Sequence, residues 1–504
     1  MKISLKNNFA EKLMRLFQKW PFYILLLPLF FILHGARENF GFILFSDAAS
    51  LFLVYVSIIV FIYIILYFIY RRPTKAGLLT ILLSGIFFFF GAFQDFLKAH
   101  IPSLNRYSIL FILLFLSVLT TFIVLKKTRN NFKKLSLFLN ILLLLFCFYD
   151  LSSIFIEALF PKEDKFSIYP FTQNEDFKTC KDCSKPDIYF LLFDEYASSL
   201  CLENNFGFNN SALDSFLLNK KFHIQKNSSG NYNFTPFSMA SILNMSYIKG
   251  IDEKRITIDD YARCNKLISE NEVIKLFSFY GYDIINYSIF DIAGNPSPVY
   301  QDLLPLKTKL ITDRTLWGRI KRDILWNVFT GKFEIKWFTD SIVFFILRSN
   351  NKLIDLVKQE SSKTAKNPRF IYAHYSMPHH PFYFDENGKI RDKKVIKDDY
   401  SRNSYLNNVK YTNTKIQELV NTIQTNTQGK AVIIIMGDHG FRLDSTLPKN
   451  VFFENQNAVY LPDKNYKLFY DSITGVNQFR VLTNTLFKQN LPLLKDSTIF
   501  LKDK

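Results

Sequence analysis

Several scarcities bound what this chain can be. Only 7 of its 504 residues are His, 5 are Cys and 4 are Trp. The pair in Cys180-Lys181-Asp182-Cys183 has no second CxxC and no flanking His, which excludes a zinc knuckle. A disulfide remains, within the pair or to Cys201 or Cys264, while Cys147 falls in an apolar run and is read as inert. No Arg-rich arm, zinc finger or aromatic RNA platform accompanies the net charge of +18. The excess is therefore assigned to Lys-rich flanks of membrane segments and to a surface that can face anionic head groups, with no nucleic acid as partner. The first apolar run is followed by His34-Gly35-Ala36-Arg37 rather than a small-x-small cleavage site, which argues against a removed signal peptide.

Phenylalanine, by contrast, is abundant, with 55 copies. Apolar residues are concentrated in the first 160 positions, where five runs approach the ~20 residues needed to cross a bilayer. They cover residues 20–35, 50–70, 76–96, 108–125 and 135–159. The flanks set an orientation. Thirteen Lys and Arg lie in the N-terminal tail and after the second and fourth runs (residues 2–19, 71–75 and 126–134). Only Arg37, Lys98 and Arg106 lie in the alternate loops. The N-terminus is expected inside, and five spans then put everything beyond residue 160 outside. His34, Glu38, Asp95 and Asp150 fall at or near span ends and are read as interfacial. Few charges within the spans and no internal repeat argue against a transporter.

Residues 161–184 are polar and mixed, as a linker should be, and residues 185–504 alternate strand, loop and helix. The apolar runs at 188–193, 370–373 and 431–436 read as buried strands, and 405–423 as a helix, which predicts an α/β domain with a mostly parallel central sheet. Ligands of such sheets gather beyond the carboxyl ends of the strands. Asp194 follows the first run, His374 and then His379 follow the second, and Asp438-His439 follow the third. Two carboxylates and an imidazole suit a divalent metal, Zn or Mn best and Ca less well. Thr235 precedes Pro236 and a stretch of small and apolar residues. That pattern puts its hydroxyl just before a helix N-terminus, with Pro at the first helical position, where an anionic phosphoryl group is favoured. A metal-activated Thr235 could attack phosphorus; a plain N-cap is the competing role.

Taken in order, Lys185-Pro-Asp-Ile-Tyr-Phe-Leu-Leu-Phe-Asp194-Glu195, the Thr235 segment, His374-Tyr-Ser-Met-Pro-His379-His-Pro381 and Gly437-Asp438-His439-Gly440 resemble the sulfatase branch of the alkaline phosphatase superfamily. Five spans ahead of such a domain are similar to membrane-bound phosphoethanolamine transferases and lipoteichoic acid (phosphoglycerol) synthases. The resemblance spans roughly residues 185–500, including 476–480. It implies Asp194, Thr235, Asp438 and His439 as metal ligands, with Thr235 also the nucleophile. It implies His374 and His379 as phosphate-binding or proton-shuttling groups. Four departures stand out. Asp194 occupies a position where those transferases usually have Glu; Glu195 follows where formylglycine sulfatases often place a second acid ligand; and the disulfide-rich pattern of many phosphoethanolamine transferases is missing. Thr235 is followed at once by Pro, with no Arg of a formylglycine motif, and Thr cannot be oxidised to formylglycine.

The expected activity is transfer of phosphoethanolamine or phosphoglycerol from a phospholipid donor to an envelope glycan or glycolipid through a phospho-Thr intermediate. Five helices fit a donor that is met at a membrane surface. The expected location is a bacterial inner membrane with the catalytic domain in the periplasm or extracytoplasmic space. The alternatives are a membrane-anchored hydrolase (phosphodiesterase or sulfuric ester hydrolase) and a non-catalytic envelope protein.

Overall fold

The computed structural model describes residues 2–160, 168, 180, 182–292, 294–299, 308–325, 340, 343–396 and 399–503, with side chains from residue 11. The chain forms two compact units. Residues 1–163 and 305–328 make the first, and 164–304 and 329–504 the second. Most of the expected linker, 161–184, lies outside the described residues, but Cys180 and Cys183 are joined in a disulfide. Cys147, Cys201 and Cys264 are free and buried.

The first unit contains α1 (Lys2–Lys19), α2 (Tyr23–Glu38), α3 (Phe45–Tyr70), α4 (Pro73–His100), α5 (Tyr107–Lys127) and α6 (Lys133–Leu159). Helices α3 to α6 are long and apolar enough to cross a membrane. The fifth expected span differs. Helix α2 has only 16 residues and meets α1 at an 89° bend, so the bent pair is one further candidate crossing. Pro21, in the Trp20–Phe22 link, cannot donate a backbone hydrogen bond. The bend frees backbone groups that an apolar environment cannot satisfy. Asn140 of α6 supplies the missing partners: its Nδ2 donates to the carbonyls of Phe17 (2.8 Å) and Trp20 (2.9 Å), and its Oδ1 accepts from the Tyr23 N–H (2.7 Å). Lys75, buried on α4, donates to the carbonyls of Leu125 and Thr128 at the end of α5.

Residues 308–325, far along the sequence, belong to this unit. Ile311 packs with the α2–α4 core, Arg319 pairs with Asp95 (2.5 Å) and Arg314 with Glu38 (2.6 Å). Asp150 is buried but paired with Arg37 (2.8 Å) and His34 (3.4 Å).

The second unit runs β1 (Ile188–Phe193), α7 (Ser199–Phe206), α8 (Ser211–Asn219), β2 (His223–Ile224), α9 (Thr235–Asn244), α10 (Ile258–Ser269), α11 (Glu272–Phe279), β3 (Asp283–Tyr287), α12 (Phe345–Ser361), β4 (Arg369–Tyr375), α13 (Arg402–Asn426), β5 (Val432–Gly437), β6 (Asn457–Tyr460) and α14 (Gly475–Phe487). The strand order is β2-β6-β5-β1-β4-β3. Strands β5, β1, β4 and β3 pair in parallel, while β6 pairs antiparallel with both β5 and β2, so the sheet is mixed.

Alternate residues of each central strand enter two cores. Phe190, Tyr372 and Ile434 pack with α9, α10, α11 and α14; Leu191, Ile371 and Ile433 pack with α7, α8, α12 and α13. Burial on both faces is why these strands read as unbroken apolar runs. In register, Phe193 lies beside Tyr375 and Gly437, so residues 194 and 438 leave neighbouring strands at one level.

Candidate metal centre

Three groups meet at the carboxyl ends of β1 and β5. Ligand atoms of Asp194, Asp438 and His439 all lie within 4.8 Å of one another. The backbone makes this meeting possible. Gly437 and Gly440 flank the Asp-His pair because a Cβ at Gly437 would stand 2.6 Å from the Tyr196 carbonyl oxygen, and one at Gly440 2.0 Å from that of Val451. The Asp194 N–H donates to the Tyr375 carbonyl (2.9 Å), and the Asp438 carbonyl accepts from the Ser238 hydroxyl (2.6 Å) in the first turn of α9.

Thr235 completes the cluster. It is the first residue of α9, one position later in the helix than the capping pattern predicts, because Phe234 is the extended residue at the cap. Its hydroxyl caps nothing. It donates to Asp194 Oδ1 (3.3 Å) and lies 3.2 Å from His439 Nε2. Relative exposures of Asp194, Thr235, Asp438 and His439 are 6, 8, 0 and 0%, so their polar atoms have little water to fall back on.

The donor set fits a divalent cation. His439 Nδ1 lies 2.8 Å from the Gly440 carbonyl, which can only accept, so Nδ1 carries a hydrogen and Nε2 is the nitrogen turned to the cluster. Asp438 Oδ1 accepts from the Glu195 N–H (3.0 Å), while Oδ2 is buried without a hydrogen-bond partner. Burial, then the Asp438 carboxylate, lifts the Asp194 carboxyl to about 6. Burial pushes Asp438 the same way, but His439 and His374 outweigh it and its shift is downward. Two carboxylates held this close repel in the absence of a cation, which is the electrostatic condition a metal relieves.

The remaining sequence candidates take distinct places. His374 is wholly buried beneath the cluster, 4.0 Å from Asp194 Oδ2, with Nδ1 against the Tyr372 hydroxyl (3.1 Å) and Nε2 unpartnered. Burial holds its imidazole down at about 4, hence neutral at physiological pH. His379 lines an open cavity of about 520 Å³. Burial opposes its protonation, but Asp194 and Glu195 prevail and raise it. Glu195, in a left-handed backbone conformation, is not part of the three-ligand group. Oε1 accepts from the Arg442 N–H (2.9 Å) and Oε2 lies 3.8 Å from His379 Nε2.

Sequence reading passed over other walls of the cavity: Asn233, Phe234, His380, Tyr400 and Arg442. Asn233 and Phe234 lie beside Thr235, His380 beside His379 and Arg442 beside the Gly437–Gly440 motif, which is the available signal; Tyr400 has none.

Residues 327–488 match the Sulfatase family model, a stretch that holds His374, His379, Asp438 and His439. No curated protein matches the sequence. Among solved structures, the zinc complex of the C-terminal periplasmic domain of EcEptC from Escherichia coli is 8% identical, with a TM-score of 0.41, covering 64% of this chain and 91% of that one. The periplasmic domain of the phosphoethanolamine transferase EptC from Campylobacter jejuni is 13% identical, with a TM-score of 0.37 and coverage of 64% and 97%. The phosphonate monoester hydrolase of Agrobacterium radiobacter is 10% identical, with a TM-score of 0.37 and coverage of 60% and 73%.

Proposed function

We propose that this chain, a sulfatase-superfamily enzyme, is a membrane-anchored, metal-dependent transferase. It moves a phosphoethanolamine or phosphoglycerol group from a phospholipid to an envelope glycan or glycolipid through a phospho-Thr235 intermediate, on the outer side of a bacterial inner membrane. One observation carries the reading: the Thr235 hydroxyl, free of any capping duty, is aimed at Asp194 and His439 inside a buried group whose Asp438 Oδ2 lacks a partner. Helices α3 to α6 support a donor that resides in a membrane.

A divalent ion held by Asp194, Asp438, His439 and Thr235 would supply Lewis acidity, lowering the hydroxyl pKa and offsetting charge on the phosphoryl oxygens. The protein's own groups account for the protons. Thr235 Oγ attacks phosphorus as its proton passes to Asp194 Oδ1, which already accepts its hydrogen bond. The bond from phosphorus to the lipid oxygen breaks, and His379, held toward its protonated form by Asp194 and Glu195, gives its Nε2 proton to the departing alkoxide. In the second half the acceptor hydroxyl returns a proton to His379 and takes the phosphoryl group, and Thr235 recovers its proton from Asp194. Burial keeps His374 neutral, which suits a group that orients the carboxylates rather than one that meets substrate.

Hydrolysis is the second reading, favoured by the Sulfatase match over residues 327–488. Purified protein incubated with a head-group-labelled phospholipid, with and without chelator, separates the two. Label should be trapped on Thr235 by mass spectrometry and then move to a glycolipid; release to water alone selects the hydrolase. Retained turnover in Thr235→Ala would remove the covalent mechanism.

A further inference from the structure

The loop that follows β5 brings a second functional group to the cavity. The Arg442 backbone is fixed by its N–H donating to Glu195 Oε1 (2.9 Å), and its guanidinium lies over the Phe234 ring, 4.8 Å from the centroid. Among the described residues that guanidinium has no hydrogen-bond or ion-pair partner, and its Nε is buried and unsatisfied. A buried donor with no acceptor lowers stability, so a fold keeps one where something else supplies the acceptor. Phe234 immediately precedes Thr235, and Arg442, Phe234 and His379 line the same cavity. Arg442 is also one of the groups that disfavour a proton on His379, which places both cations in one field.

We infer that Arg442 is a substrate-binding residue whose guanidinium holds the anionic oxygens of the phosphoryl group at Thr235. The inference rests on the phosphoryl-transfer reading above and adds the residue that recognises the charge of the substrate. A guanidinium offers a planar fork that pairs with two oxygens at once, and stacking on Phe234 fixes its plane before substrate arrives. Lys502 lines the same cavity but is exposed, and an ammonium in water is a weaker anchor than a half-buried fork.

The test uses the full chain in detergent, loaded with zinc, titrated with inorganic phosphate by calorimetry, with zinc content matched between samples. Arg442→Gln should weaken phosphate binding at least fivefold. Arg442→Lys should recover part of that loss, and Lys502→Met should stay within threefold of the unaltered chain. Thermal stability of Arg442→Gln should be unchanged or higher, because an unpaired buried donor has been removed. A loss under fivefold in Arg442→Gln, or no phosphate binding by the zinc-loaded unaltered chain, overturns the inference. A drop in stability with phosphate affinity intact would mean that Arg442 only packs on Phe234, and overturns it too. In kinetics with a chromogenic phosphodiester, Phe234→Leu should raise KM more than it lowers kcat. The transfer reading stands or falls separately, on whether the unaltered chain traps label on Thr235.

Discussion

The two ends of the central sheet treat charge in opposite ways. At the amino end, Arg369 opens β4 and is fully engaged. It donates to Asp187 Oδ1 from the backbone (2.8 Å), to Asp187 Oδ2 from Nη2 (2.6 Å), and to the Glu360 carboxylate (2.9 Å) and carbonyl (2.8 Å) from Nη1. At the carboxyl end, Asp438 Oδ2, His374 Nε2, Glu195 Oε2 and Arg442 Nε are all buried without hydrogen-bond partners. One sheet thus spends its charges on internal bonds at one end and withholds them at the other. Burying polar atoms unpaired is costly, so their concentration around Thr235 supports the proposed binding of a cation and an anion there.

The sharpest way to break that contrast is at Asp438. Asp438→Asn should lose bound metal and reduce kcat/KM on a phosphodiester by at least about a hundredfold. Asp182→Ala, exposed and outside the cluster, should keep both. Metal analysis beside the kinetics checks this, and equal metal in the two variants would take Asp438 out of the ligand set. The amino end should respond in the other currency. Arg369→Met strands two carboxylates and should lower unfolding stability by about 3–5 kcal/mol, with metal content per folded molecule unchanged. Denaturant unfolding of the full chain measures it; metal loss without destabilisation would show that the two ends are not separate.

Acid should act on the two ends with opposite sign. Asp194 has a folded value of about 6 without metal, above its unfolded value of ~3.9, so the folded state takes up the proton first. Metal-free stability then gains as pH falls from 7 through 6 towards 4, while protons also compete with metal. Glu360 is shifted down, because Lys363, Arg369 and Tyr287 outweigh its burial. Its contribution is present above the unfolded value of ~4.3 and is lost as pH falls through the folded one. Metal at a hundredfold excess over its Kd should therefore stabilise by about 2.7 kcal/mol at pH 7.5 and by clearly less at pH 5.5. Melting curves with and without zinc at the two pH values give the answer, and an undiminished shift at pH 5.5 would contradict the assignment of Asp194.

The sequence exposes what is periodic or sits at the end of an element. The runs that became α3 to α6, β1, β4 and β5 are visible because each is continuously apolar over a characteristic length. Asp194 and Asp438-His439 are visible because they follow such runs, and Thr235 because Pro236 follows it. What pairs across the chain left no such trace. Strand β6 is four residues long and gives no hint that it runs antiparallel to β5. The return of residues 308–325 to the first unit rests on two four-residue helical turns and single pairs such as Arg319 with Asp95. Glu195 is adjacent in sequence to Asp194, yet its positive φ sends the carboxylate to His379 and Arg442, which no spacing rule anticipates.

Asn140 extends the contrast into the first unit and should give the smallest of these effects. An Asn inside an apolar run can mark a functional site, but each of its amide contacts here goes to backbone at the α1–α2 bend. It should therefore behave like the amino end of the sheet. Asn140→Leu removes three hydrogen bonds of about 0.6 kcal/mol each in a membrane setting, or about 2 kcal/mol in all. The Phe17 carbonyl keeps the Ser136 hydroxyl (3.3 Å) and the Trp20 carbonyl the Phe22 N–H (3.1 Å), which limits the loss. Unfolding in bicelles should show the loss, while metal content and turnover per folded molecule hold. If turnover falls with stability preserved, the polar groups of the first unit serve substrate as well, and the division between spent and withheld charge fails beyond the sheet.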